Sequence, residues 1–275
     1  MKKLLVITGP TASGKTAEAV RLAQKLDTEI LSCDSRQFYR EMCIGVARPS
    51  DDELAAAKHH FIACRPVTEA YNIYDYERDA MSLLENLFQC HETVIAVGGS
   101  GLYVDALRLG VTSMPDPTPE LRSRLQQMPI EEKRAQLQQL DPDYYARVDL
   151  RNPVRLQRAL EVCYMTGQPY SQVIADQKPA ERPFDIEVRV VRMPNAELRT
   201  RIDRRVDQMM AEGLLDEVET LLPYRNLSTL RTVGYRELFP VLDGTEKLDD
   251  AVAKIKLNTW HYARKQLTWC RRYDF

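Results

Sequence analysis

The spacing of apolar and polar positions divides the chain into strands and helices that alternate. Residues 3–8 (KLLVIT) form a short apolar run that reads as a buried strand. Residues 17–26 follow with apolar side chains at 19, 20, 22, 23 and 26, which is the spacing of a helix with one core-facing stripe. Residues 29–33 repeat the strand pattern, and 74–88 carry helical spacing at 76, 80, 83, 84, 87 and 88. Residues 93–97 (TVIAV) are continuously apolar, as a central parallel strand requires, and a further helix starts at Leu102. Between these elements, 41–66 reads as loop-rich. Strand–helix alternation of this kind predicts an α/β fold with a parallel sheet.

The texture changes at Val111. Residues 114–119 place prolines at 115, 117 and 119, which predicts a boundary or hinge. Helical patterns follow over 119–128, 130–140, 143–148 and 153–166, with Pro153 suited to a first turn and Gly167 to a C-cap. A polar stretch, 175–183, leads into 186–191, which alternates like a strand returning to the sheet. The expected organisation is therefore an α/β core from 1–110 and 185–275, interrupted by a helical insertion at 111–184. Two long helices close the chain, 195–222 and 248–272. In the second, Val252, Ile255, Tyr262 and Trp269 form a packing stripe, the last two flanking Gln266.

Composition narrows the function classes. With 44% apolar and 28% charged residues, the chain is an ordinary globular protein. Its formal net charge of −2 means that any binding of nucleic acid must come from local patches. No apolar run approaches the roughly 20 residues of a membrane span. The first strand begins too early to leave room for a signal peptide. Six cysteines (33, 43, 64, 90, 163 and 270) are scattered without a C-x-x-C pair, which fits reduced thiols in a cytoplasmic protein.

Between the first strand and the first helix lies Gly9-Pro10-Thr11-Ala12-Ser13-Gly14-Lys15-Thr16, which satisfies the P-loop spacing G-x-x-x-x-G-K-[ST]. Its glycines let backbone N–H groups point at phosphate oxygens, and the helix N-terminus adds partial positive charge. Lys15 would neutralise terminal phosphates, and the Thr16 hydroxyl would ligate Mg²⁺. The motif specifies a polyphosphate or diphosphate without saying which. The fold class is therefore α/β, a P-loop NTPase-like parallel sheet flanked by helices, with the helical insertion.

Other candidate chemistry falls at strand ends and on arginine-rich helices. Asp34-Ser35-Arg36-Gln37 follows the second strand, where an open α/β sheet faces its ligand crevice. Asp34 could hold Mg²⁺ through water, take a proton from an acceptor, or merely cap a helix. Gln37 has the amide for a bidentate grip on an adenine edge. The strand 93–97 ends in Gly98-Gly99-Ser100-Gly101 rather than the Asp that NTP-hydrolysing P-loop enzymes use for Mg²⁺. Arg199, Arg201, Arg204 and Arg205 suggest a phosphate lid, since guanidinium forks match phosphate oxygens. Arg147, Arg151, Arg155 and Arg158 would line one face if their helix ran through Pro153, and a solvated surface explains them equally well. Adjacent His59 and His60 point in different directions and read as packing residues rather than a metal pair.

Taken together, these stretches resemble the tRNA dimethylallyltransferases (tRNA isopentenyltransferases) along nearly the whole chain. The resemblance rests on GPTASGKT at 9–16, DSRQ at 34–37 with Ile44-Gly45 and Ala47-Arg48-Pro49, and VGGSGLYV at 97–104. RNPVRLQRALEV at 151–162, LRTRIDRRV at 198–206, VGYREL at 233–238 and NTWHYARKQLTWCRR at 258–272 complete it.

The resemblance implies transfer of a dimethylallyl group from dimethylallyl diphosphate to N6 of an adenosine beside the tRNA anticodon. It implies a P-loop that holds the diphosphate donor without ATP hydrolysis, in agreement with the missing carboxylate after Val97. On this reading Gly9, Pro10, Thr11, Ala12, Ser13, Gly14, Lys15 and Thr16 bind the diphosphate, with Mg²⁺ at Thr16. Asp34 accepts the N6 proton and Arg201 clamps the leaving diphosphate. Asp34, Ser35, Arg36 and Gln37 frame the adenine. Ser100, Arg122, Val154, Arg155, Leu156, Gln157 and Arg158 are further tRNA contacts. The expected form is a cytoplasmic monomer.

This chain departs from the family's commoner residues at Ser100, Arg231, Val233 and His261, and carries no Cys/His array of the kind some eukaryotic relatives append. Two other functions use the same residues. A small-molecule kinase would take ATP on the loop with Asp34 as base, and a non-catalytic RNA-binding protein would keep the loop without turnover.

Overall fold

The computed structural model describes residues 2–111, 117–176 and 179–273. The chain forms two compact units, Met1–Gly110 with Glu181–Phe275, and Val111–Ala180.

The first unit is built on five strands, β1 (Lys3–Thr8), β2 (Ile30–Ser32), β3 (His59–His60), β4 (Thr93–Gly98) and β5 (Asp185–Val190). All pair in parallel, in the order β3-β2-β4-β1-β5. β1 and β4 lie in register, Leu5 opposite Ile95 and Thr8 opposite Gly98. Because successive side chains alternate faces, β1 feeds two cores. Leu5 and Ile7 pack with Ile95, Val97 and the helix Lys15–Leu26, which buries Ala19, Val20, Leu22 and Ala23. Leu4 and Val6 face the larger cluster, which includes Leu84 of the helix Ile73–Cys90 and Leu107 of the helix Gly101–Leu109. Each fully buried aliphatic side chain contributes about 1.5–3 kcal/mol. β5 alternates exposed and half-buried positions, as an edge strand with one packed face does.

The structure differs from the spacing-based expectation at several places. The 41–66 region holds a short helix, Asp51–Ala56, started by a capping box between Ser50 and Glu53, and then the edge strand β3. His59 and His60 pack there, His59 Nδ1 on the Ala57 carbonyl at 2.7 Å and His60 on Glu29. The helix expected over 195–222 is two, Asn195–Ala211 and Leu214–Thr220. Gly213 breaks it at φ 95°, a left-handed conformation that glycine adopts without a Cβ penalty. The 143–148 pattern yields only the single turn Pro142–Tyr145.

The unit Val111–Ala180 has its own core of Leu125, Leu137, Leu156, Ala159 and Leu160, drawn from the helices Pro119–Gln127, Ile130–Leu140 and Pro153–Thr166. Asp141 is fully buried, and its carboxylate accepts from Tyr144 N at 2.9 Å, Ser171 N at 2.6 Å and Ser171 Oγ at 2.7 Å. That satisfaction offsets the cost of burying a carboxylate. Of the proline-rich hinge, 114–116 lies outside the described residues, as do 177 and 178 of the polar stretch. Pro119 opens its helix behind Thr118, whose hydroxyl accepts from Leu121 N at 3.2 Å. In the first unit, Arg182 ties residues on either side of the insertion together. It donates to the carbonyls of Ala106 at 2.7 Å and Leu107 at 3.0 Å and pairs with Glu77 at 2.6 Å.

Candidate active site

The three turns flagged in the sequence follow β2, β4 and β1, which are neighbours in the sheet. All three leave the same carboxyl edge, where an open parallel sheet binds its ligand.

The loop Gly9–Thr16 has the geometry of an anion cradle. Gly9 sits at φ 148°, and a Cβ there would meet the Val191 carbonyl oxygen at 2.5 Å. Ala12 and Gly14 are left-handed at φ 64° and 88°. Gly14 caps the helix without a side-chain hydrogen bond, so the first-turn N–H groups are left for a ligand. Ser13 Oγ is buried with no hydrogen-bond partner. An orphaned buried hydroxyl is unfavourable, and an anion in the loop would satisfy it.

Lys15 Nζ donates to the Pro10 carbonyl at 2.8 Å. Burial lowers the Lys15 ammonium to about 8, with the Asp34 carboxylate opposing that shift and the Arg205 guanidinium adding to it. Asp34 shows the reverse. Burial raises its carboxyl above the ordinary value, against the pull of the Arg36 N–H, which it accepts at 3.0 Å, and of Lys15. A half-buried ammonium and a half-buried carboxylate of raised pKa thus lie within electrostatic reach of each other at the mouth of the loop. The first suits a leaving anion and the second a proton acceptor.

The arginine-rich helix Asn195–Ala211 reaches this loop through Arg205, whose guanidinium donates to Thr11 Oγ1 at 3.3 Å. Arg201, one turn earlier, is close enough to lower the Arg205 pKa and stands 4.0 Å from Glu197. Arg199 pairs with Asp203 at 3.4 Å and lies over Trp260, and Arg204 is exposed. Spacing alone could not single out Arg205 from the four.

The β2 turn is braced from within. Gln37 accepts from Ser32 Oγ at 3.0 Å and donates to the carbonyls of Ala47 at 3.0 Å and Val46 at 3.4 Å. Its amide is committed at both ends, so the bidentate grip on an adenine edge expected of Gln37 is not available as placed. Ser100 Oγ donates to Ser35 Oγ at 3.1 Å, and the Tyr262 phenol lies beside Ser100, within electrostatic reach of Asp34. Tyr262 therefore belongs to the site and not only to a packing stripe. Although the residue is 40% exposed overall, burial around its hydroxyl pushes the phenol up to about 12, the nearby Asp34 charge adding to the effect. Tyr262 also borders a cationic concavity of about 290 Å³ with Arg231, Arg236, His261 and Lys265.

Gln266 went unassigned by its spacing. It is buried between the two glycine turns, accepting from Thr11 N at 2.8 Å and donating to the Gly99 carbonyl at 2.8 Å.

In the insertion, Arg122, Val154 and Arg155 are exposed. Gln157 donates to Glu161 at 2.9 Å, and Arg158 pairs with the same carboxylate at 3.4 Å. Leu156 is fully buried in the insertion's core, so its side chain holds that helix together and is removed from the set of surface contacts. Arg147 and Arg151 fall outside the helix Pro153–Thr166, so the four arginines do not share one helical face.

Fold and site define a P-loop α/β protein, with an anion cradle after β1 and β4 ending in glycine. The family model described as IPP transferase matches residues 37–273. The tRNA dimethylallyltransferase 1 of Bacteroides thetaiotaomicron is 46% identical over 99% of this chain and 89% of its own length. A solved eukaryotic dimethylallyltransferase acting on tRNA superposes with a TM-score of 0.85 at 27% identity, covering 98% of this chain and 70% of that one. The tRNA isopentenylpyrophosphate transferase of Bacillus halodurans gives 0.70 at 32% identity, covering 98% and 87%. The chain belongs to the IPP transferase family, and it is a prenyltransferase.

Proposed function

We propose that this protein transfers a dimethylallyl group from dimethylallyl diphosphate to N6 of an adenosine adjacent to the tRNA anticodon, releasing diphosphate. The carbon–oxygen bond of the donor breaks as the carbon–nitrogen bond to N6 forms. Negative charge grows on the leaving oxygens, where the loop N–H groups, Ser13 and Lys15 stabilise it. Arg205 and Arg201 hold the same diphosphate from the helix side. The N6 proton passes to Asp34, whose raised pKa makes it a better base than a solvated carboxylate. Ser35, Arg36 and Ser100 frame the adenine, with Gln37 as their internal brace. Unstacking that base costs on the order of a few kcal/mol, which contacts elsewhere on the tRNA offset.

The residues present fit Mg²⁺ carried largely by the donor. Among the described residues no cluster of three or more His, Cys, Asp or Glu side chains is placed to hold a metal. Thr16, diphosphate oxygens and water would be its ligands, and the ion would supply further neutralisation of the leaving group. The insertion, 111–184, serves tRNA through Arg122, Val154, Arg155, Gln157 and Arg158. No helix among the described residues is long and apolar enough to cross a membrane. We assign the protein to the cytoplasm as a monomer.

The observation that carries this reading is the Lys15–Asp34 pair at the mouth of an anion cradle in a chain of this family. The test is a transfer assay with Mg²⁺, radiolabelled dimethylallyl diphosphate and unmodified tRNA. Label should enter the RNA with wild-type protein and fall by about 10²–10⁴-fold in Asp34→Ala, the usual contribution of a general base. Phosphate moved from γ-labelled ATP to nucleosides, with no label in tRNA, would replace this reading by that of a kinase.

A further inference from the structure

The helix Leu248–Cys270 presents Asn258, His261, Tyr262, Lys265 and Gln266 at intervals of three and four, so they share one stripe. The first four border the cationic concavity. The fifth reaches the donor cradle. Gln266 is 6% exposed and uses both ends of its amide, one on each glycine turn. The oxygen takes the Thr11 N–H of the β1 loop, and the nitrogen gives to the Gly99 carbonyl after β4. Gly99 is tailored to this contact, since a Cβ there would meet Gln266 Nε2 at 2.2 Å. Thr11 is also where Arg205 bonds, through the hydroxyl. The backbone and side chain of one loop residue are thus held by two different helices.

We propose that Gln266 is a positioning residue of the donor site. It fixes the β1 loop against the β4 turn, and through it the C-terminal helix sets the affinity for the diphosphate. An amide meets the geometric demand because one side chain must present an acceptor and a donor about 2 Å apart in fixed order. Loss of either hydrogen bond frees the loop at Thr11 and lets the cradle relax. Gln266 touches neither the reacting carbon nor N6, so its removal weakens donor capture more than it slows chemistry.

This inference rests on the prenyl-transfer reading, and two variants test it. Gln266→Met keeps the volume and removes both hydrogen bonds. The expected result is a rise in KM for dimethylallyl diphosphate of about tenfold, the size of one to two net hydrogen bonds. kcat should stay within about threefold and KM for tRNA within about twofold on the same basis. Gln266→Glu keeps the shape. Protonated, it can accept from Thr11 and donate to Gly99 as the amide does; ionised, it cannot donate and sets a negative charge beside the diphosphate. Its donor KM, taken as a ratio to wild type at each pH, should therefore fall towards one as pH is lowered.

A structural role alone would lower the melting temperature and the active fraction without dividing KM from kcat and without a pH-dependent ratio. Wild-type donor KM in Gln266→Met, or a loss confined to kcat, overturns the proposal. If the Met variant does not fold, the Glu ratio decides, and a flat ratio overturns it. Failure of wild type to label tRNA would remove the prenyl-transfer reading instead. Equilibrium binding of dimethylallyl diphosphate to wild type and Gln266→Met would still judge the positioning role.

Discussion

Two glycine-rich turns leave two adjacent strands, and Gly14 of the first serves the opposite purpose to the glycines of the second. Gly9, like the latter, packs closely, its absent Cβ leaving room for the Val191 carbonyl. In the β1 turn, Gly14 is left-handed and a Cβ there would meet nothing within 4 Å. The glycine is present for its backbone angle, and the space beside it is left open. In the β4 turn, none of the glycines through Gly101 has a φ in the left-handed range. Yet a Cβ would strike Cys33 O at 2.4 Å from Gly98, Gln266 at 2.2 Å from Gly99 and the Trp269 ring at 2.3 Å from Gly101. Here the missing side chain is what lets protein pack against protein. One turn is shaped to receive a ligand and the other to brace the first; in the sequence the first carries the P-loop spacing, while the second reads only as a glycine cluster after an apolar run.

The contrast breaks most sharply at Lys15. Lys15→Ala should lower kcat/KM for the donor by about 10²–10³-fold, the usual loss for one preorganised charge partner in a dry site. Its melting temperature should not fall, because the half-buried ammonium is itself unfavourable. A donor kcat/KM within threefold of wild type would remove Lys15 from the cradle. Next in size, Gly98→Ala should destabilise by about 2–3 kcal/mol through a clash with rigid backbone. Gly14→Ala should destabilise by about 1–2 kcal/mol through its backbone angle. Denaturant unfolding checks both, and an equal cost at the two positions would erase the distinction. Smallest is Ser13→Ala. Removing an orphaned hydroxyl should leave stability equal or up to about 1 kcal/mol higher while weakening donor binding several-fold.

The same lysine gives a pH dependence. Its folded value of about 8 lies below the unfolded 10.5, so between these pH values the unfolded chain binds more protons and Lys15's contribution to stability rises with pH. Donor binding has the opposite sign. A diphosphate favours the ammonium, so affinity should be flat below pH 8 and fall towards tenfold per unit above it. Titration calorimetry in buffers of different ionisation enthalpy would detect the proton taken up. Binding unchanged from pH 7.5 to 9.5 would show that Lys15 does not bear on the donor.

Much of this was legible from residue order. The P-loop was readable because its chemistry is local and its glycines have fixed spacing. The parallel sheet was readable because β1 and β4 are buried on both faces and therefore uniformly apolar. What escaped depends on distant partners. β3 is two residues long and exists only because β2 offers an edge beside it. Arg205 joins the loop because its turn of the helix faces Thr11, and Gln266 because of a contact 255 residues away. Gln37 looked free to read a base because nothing nearby in sequence reveals Ser32 and Ala47 as its partners. Gly213, by contrast, is a stop signal present in the sequence that the single helix expected over 195–222 passed over.

Arg182 has a consequence for how this architecture can change over generations. By gripping the carbonyls of Ala106 and Leu107, it closes the gap from which the insertion departs. To the sheet, everything in between is one loop whose ends are already joined. Doubling the length of such a loop costs only about 0.6 kcal/mol of closure entropy. The insertion, with a core of its own, can therefore lengthen, shorten or be exchanged without disturbing the strands. On the function proposed above, recognition of a new RNA would be acquired there while the sheet-edge site is inherited unchanged.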